Sequence, residues 1–167
     1  MTAAEIILAL VTAQRGAELV LAGRNTQRLI ARGAVEVGGD HYPLMVVVHT
    51  CWLVALWASG HNQPINLIAL AAYVLLQGLR IWVMATLGSR WTTRIIVLPN
   101  APLVAAGPYR FLRHPNYAVV IGEIAVLPLV FHLPWLAVLF TIFNAAVLFI
   151  RIRAENRALV EAAPSAS

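Results

Sequence analysis

Five apolar runs, set between short polar segments, leave this chain few folds to choose from. A helix that crosses a bilayer needs about 20 apolar residues, with a range of roughly 17–25. Candidate spans cover residues 3–22, 42–59, 65–87, 116–131 and 134–153. Only His132, Leu133 and Pro134 separate the last two. So tight a connection predicts an antiparallel helical hairpin, each member of which is short for a full crossing. The balance of residues agrees. Charged residues make up 11% and hydrophobic residues 60%, against roughly 25% charged in a soluble domain. The expectation is a single domain over residues 1–167: an all-α integral membrane protein of about five transmembrane helices.

Charge placement gives a topology. All 12 basic residues are arginine, and the net charge is +5. A basic excess can mark a nucleic-acid binder, but here the arginines are dispersed between apolar spans. Arg24, Arg28 and Arg32 fall in the first long loop, and Arg90, Arg94, Arg110 and Arg113 in the second. Arg151, Arg153 and Arg157 follow the last span, while the 60–64 and 132–134 turns have none. Ten of the twelve therefore lie on one side of a five-span arrangement. The positive-inside rule makes that side cytoplasmic and puts the N-terminus outside; a bacterial inner membrane is the expected location. The first apolar stretch lacks a basic region before it, so it reads as a helix rather than a cleaved signal peptide. Cys51 is the single cysteine, which excludes a disulfide framework and a cysteine metal site. The histidines His41, His49, His61 and His132 are scattered without ligand spacing, and no metal is expected. The end, EAAPSAS, reads as a frayed tail.

The 88–115 segment is out of proportion, since most connections run about 4–6 residues. It carries Trp91, Ile95, Ile96, Leu98, Tyr109 and Phe111 among others, which is too apolar for disorder. A loop folded over a ligand is the expected form. It leads into RHPNY, residues 113–117. Proline is favoured at the first helical position, so Pro115 sets a helix start at about His114. Such a start attracts anions, and Arg113 adds a full charge beside it. A topology-marking arginine with His114 as a plain cap is the bland alternative. At the far end of the hairpin, Arg151 and Glu155 are four residues apart and share a face. A snorkelling arginine in a stabilising pair is the commoner case, but the hairpin returns both residues to the neighbourhood of Arg113 and His114. Within the spans lie Arg80, Glu123 and the Gln14, Arg15, Glu18 set. Intramembrane ionisable residues demand partners; Glu123 with Arg80 is one expected pair, and Asn144 is expected to make an interhelical hydrogen bond. There is no GxGxxG, P-loop or G-x-S-x-G.

The ordered set of LVAAGPYRFLRHPNY (103–117), the hairpin and RIRAENRAL (151–159) resembles the isoprenylcysteine carboxyl methyltransferase family of membrane enzymes. The resemblance is specific over the C-terminal half; the first half agrees in helix layout. It implies a membrane methyltransferase that uses S-adenosylmethionine in a cytosolic pocket. By position, Leu103 and Val104 would line the cofactor, and Gly107, Tyr109, Arg113, His114, Pro115, Tyr117 and Glu155 would complete its site. Arg151 would orient the nucleophilic oxygen of the substrate, with Glu155 as the second catalytic residue. The family often has consecutive glutamates where this chain has Glu155-Asn156, which bears on substrate identity. Small bacterial members resemble enzymes that O-methylate phenolic lipids or alkylpyrones, so the implied acceptor is a lipophilic molecule with an acidic hydroxyl, entering from the bilayer. A prenylcysteine carboxylate is the alternative acceptor, and an NADPH-dependent membrane reductase the more distant reading.

Overall fold

A computed structural model describes residues 1–99 and 101–161, with side chains to residue 158; the expected tail lies beyond residue 161, outside the described residues. Five helices carry the fold: α1 (Ala3–Ile30), α2 (Tyr42–Gly60), α3 (Leu67–Leu87), α4 (Pro115–Val130) and α5 (Pro134–Glu161). The chain is an all-α membrane protein. Four of the helices are long and apolar enough to cross a bilayer, and α4, with 16 residues, is the exception. At 1.5 Å per residue it reaches only about 24 Å, short of the roughly 30 Å hydrocarbon core. All five expected helices are present, and α4 is short for a full crossing, as expected of a hairpin member. Many of the large apolar side chains are exposed, among them Leu67, Ile68, Leu75, Ile81 and Ile142, as a lipid-facing surface requires.

Local chemistry sets the helix ends. Thr2 caps α1: its hydroxyl accepts from the Glu5 amide at 3.1 Å, and the Glu5 carboxylate accepts from the Thr2 amide at 2.8 Å. Asn66 caps α3 through the Ile68 and Ala69 amides. The hairpin turn closes on a Schellman pattern. Leu133 N–H donates to the Pro128 carbonyl at 2.9 Å and His132 N–H to the Leu129 carbonyl at 3.2 Å. His132 sits at φ 55°, the left-handed position where glycine is usual.

Two helices outrun their apolar stretches. α1 continues eight residues beyond the predicted 22, and α5 eight beyond 153. In α1 the extension buries Asn25 and Leu29, which continue the face of Ala22. Asn25 Nδ2 donates to the Trp91 carbonyl at 2.8 Å, which ties the extension to the second long loop. The two long loops also pair, through an antiparallel ribbon of β1 (Val35–Val37) and β2 (Ile95–Val97) that the sequence did not announce. The ribbon is held at its edge by Arg94 and Glu36 at 2.7 Å and lies against α5. The arginine-bearing segments therefore gather at one end of the molecule. At the other end Thr2 bonds the His61 carbonyl and the Asn66 amide bonds the Val130 carbonyl.

α4 packs chiefly between α3 and α5. Gly122 allows this approach: a Cβ there would meet the Leu76 side chain at 2.8 Å. The larger apolar core joins α1, α2, α4 and α5 around Leu8, Trp52, Leu56, Ile124, Leu127 and Phe131. Asn144 is buried, but its Oδ1 has no partner among the described residues, so the interhelical bond expected there is not formed by that atom.

Candidate functional site

At the arginine-bearing end the helices enclose a cavity of about 660 Å³, within the 300–1,000 Å³ usual for small-molecule sites. The 90–105 part of the long loop, the first turn of α4 and the Arg151–Glu155 turn of α5 line it, together with residues of α1, α2 and α3. Pro115 starts α4 as its sequence position requires, with His114 preceding it at φ −130°, ψ 63°. The His114 side chain makes no capping hydrogen bond. His114 thus holds the N-cap position of α4 without capping it through its side chain. The Tyr117 and Ala118 amides turn back onto the His114 carbonyl, both at 3.2 Å, so the bare helix start offers an anion less than the sequence suggested. Side chains must supply the charge.

They converge across the hairpin. Tyr117 donates its hydroxyl to Glu155 Oε2 at 2.6 Å. His114 Nδ1 stands 3.8 Å from the same oxygen, and the His114 and Tyr117 rings stack with centroids 5.4 Å apart. Arg151, only 4% exposed, donates from one terminal nitrogen to the Thr93 carbonyl at 2.9 Å. Among the described residues its Nε and the Nε2 of His114 are buried without a partner. Buried donors and acceptors rarely stay unpaired, and both residues belong to the cavity wall. Tyr109 also lines the cavity; burial, with help from Glu155, pushes its hydroxyl up to about 12. It is a proton donor at any physiological pH and no base.

Of the residues singled out in the sequence, Leu103, Val104, Tyr109, Arg113, His114, Tyr117, Arg151 and Glu155 line this one cavity. Gly107 and Pro115 do not reach it. Pro115 is buried as the first residue of α4. Gly107 takes φ +54°, and a Cβ there would run into the Thr86 hydroxyl; its smallness docks the loop on α3. Sequence reasoning missed Trp91 and Thr93. Trp91 is buried, with its ring nitrogen 3.4 Å from Asn116 Oδ1, and Thr93 contributes a backbone carbonyl that carries no side-chain signal at all.

The cavity continues down to an ion cluster inside the helix bundle. Arg80 bonds Glu18 twice, at 2.6 and 2.5 Å, and Glu123 at 2.8 Å. Arg15 bonds Glu18 at 3.0 Å and Glu123 at 2.8 Å. Gln14 and Gln77 join through Glu18, Glu123 and each other. The expected Arg80–Glu123 pair is thus one edge of a six-residue network across α1, α3 and α4. Two arginines face two glutamates, so its formal charge is zero, which removes most of the cost of burying it.

The isoprenylcysteine carboxyl methyltransferase family matches residues 67–161, from the start of α3 through the loop, α4 and α5 parts of the cavity wall. An uncharacterized protein of Bacillus subtilis, YpbQ, is 40% identical over 161 residues, which cover 93% of this chain and 96% of that protein. An uncharacterized protein of Haemophilus influenzae is 26% identical over 160 residues, 92% of this chain and 93% of that protein. No solved structure matches. The chain belongs to the isoprenylcysteine carboxyl methyltransferase family, a family of membrane methyltransferases.

Proposed function

We propose that this protein is an S-adenosylmethionine-dependent O-methyltransferase acting on a lipophilic acceptor with an acidic hydroxyl, a phenolic lipid or an alkylpyrone. The observation that carries the reading is the meeting of Arg151, Glu155, His114 and Tyr117 on one cavity with two buried polar atoms left over. The donor set suits a zwitterionic cofactor. Glu155 offers a carboxylate to an ammonium group, Arg113 offers a guanidinium to a carboxylate, and Tyr109, Tyr117 and His114 offer ring faces to a sulfonium or an adenine. The 103–105 backbone supplies an edge for a base. When bound, the cofactor supplies an already activated methyl group.

The protein then has to align rather than activate. Arg151 holds the acceptor oxygen through its free Nε, while the Thr93 carbonyl fixes the guanidinium plane. In this reading His114 takes the phenolic proton, and Glu155, near its Nδ1, supports the resulting charge. The tail of the acceptor reaches the cavity from the bilayer past the apolar α1 and α2 residues that line it, such as Leu19 and Val54. The arginine-rich end faces the cytoplasm of a bacterial cell and the N-terminus lies outside.

The test is a labelled-methyl assay on the detergent-solubilised protein, comparing alkylresorcinols and alkylpyrones with a prenylcysteine analogue. Transfer to the hydroxyl compounds is the expected result. Transfer to the prenylcysteine carboxylate alone would replace the acceptor class. Calorimetry with S-adenosylhomocysteine and NADPH checks the cofactor; binding of NADPH in place of the homocysteine compound would overturn the reading.

A further inference from the structure

The cavity does not end at the reacting groups. Arg15, Glu18 and Arg80 form part of its lining at the bundle end, and His49 and Thr50 of α2 line it as well. A network built only to hold helices together would be sealed. This one is not: the Arg15 side chain is 19% exposed, against 6% for Arg80, 8% for Glu18 and 1% for Glu123. The terminal nitrogens of Arg15 make one bond each, to Glu18 and to Glu123, and each keeps a second N–H. Its Nε is buried and has no partner among the described residues. His49 Nδ1 lies 2.8 Å from the Met45 carbonyl. A carbonyl can only accept, so Nδ1 carries the hydrogen, and the uncharged ring keeps Nε2 as an acceptor.

We propose that this inner end is a second polar subsite for the methyl acceptor, which binds a hydroxyl of the ring remote from the oxygen that is methylated. The inference rests on the reading of the protein as a methyltransferase of hydroxylated ring lipids. A hydroxyl both accepts and donates, which matches the unpaired N–H groups of Arg15 and the free ring nitrogen of His49. A carboxylate does not fit. The two arginines are already neutralised by two glutamates, so an added anion would be an uncompensated charge in an apolar setting. A bare alkyl chain does not fit either, because it would set hydrocarbon against the unpaired N–H groups of Arg15 and the free nitrogen of His49. The acceptor's tail therefore leaves sideways, and its second oxygen points inward.

Two probes that differ by one oxygen test this: a 5-alkylresorcinol and the 3-alkylphenol with the same chain. For the native protein kcat/KM should favour the resorcinol by roughly ten- to a hundredfold, as a hydrogen bond to a charged donor implies. Arg15→Gln and His49→Leu should each bring the ratio to within about threefold of one, chiefly by raising KM for the resorcinol. His49 lies outside the ion network, so H49L carries the test even where R15Q fails to fold. Equal turnover of both probes by the native protein would overturn the subsite and leave the proposed hydroxyl methylation standing. Methylation of a prenylcysteine analogue with neither probe accepted would overturn both.

Discussion

Glu155 on α5 receives the hydroxyl hydrogen of Tyr117 on α4, 38 residues earlier in the chain, at 2.6 Å. The bond crosses the hairpin and joins the two motifs that face each other over the cavity. It also leaves the second carboxylate oxygen for a cation. Tyr117→Phe should therefore weaken S-adenosylhomocysteine binding by about fivefold, the worth of one hydrogen bond. Glu155→Gln, which removes the charge itself, should weaken it by at least roughly tenfold. Titration calorimetry gives both numbers, and equal affinity in all three proteins would separate Glu155 from the cofactor.

Arg151 should divide binding from chemistry. Arg151→Ala should lower kcat by about a hundredfold or more, the usual loss when an aligned donor is removed. Affinity for S-adenosylhomocysteine should change little. Arg151→Lys should recover only part of the rate, because an ammonium cannot bond the Thr93 carbonyl and a substrate oxygen in one plane. Single-turnover transfer measured beside cofactor binding distinguishes this from a general loss of structure.

The hairpin was legible in the sequence, and so was its consequence. Pro115 and Pro134 each sit at the first position of a helix, and three residues between apolar runs allow little but a reversal. The hidden parts are those that depend on distant partners. α1 looks finished at Gly23 by hydropathy, yet the helix runs on and Asn25 is buried against the 88–91 turn, whose carbonyls it bonds. VEV and IIV are too short to declare themselves strands until the two loops meet. Arg15, Glu18, Arg80 and Glu123 were visible as charges out of place, but Glu18 and Arg80 are 62 residues apart, and only the fold brings their long side chains together. Trp91 and Thr93 reached the site through loop geometry that residue type does not encode.

His132 holds a left-handed conformation with a Cβ, which costs about 1 kcal/mol. His132→Gly should remove that strain and raise the unfolding midpoint in detergent by about 2 °C. His132→Val, β-branched at the same φ, should lower it. A fall for both would mean that the imidazole makes a stabilising contact at the turn.

The ion network offers the sharpest test of the packing. Arg80→Met leaves Glu18 and Glu123 facing one arginine, a net negative charge inside the bundle. Breaking a buried network in this way costs about 3–5 kcal/mol. Glu123→Met leaves the opposite imbalance and should cost a similar amount. The double variant R80M/E123M keeps the Arg15–Glu18 bridge at 3.0 Å and restores neutrality, with a methionine pair in place of the lost one. Its loss should be well below the sum of the single losses, with a coupling of about 2 kcal/mol or more. Thermal unfolding of the four proteins in one detergent closes the cycle. Additive losses would mean that the two side chains stabilise the helices independently, and that charge balance is not what holds α3 to α4 at this level.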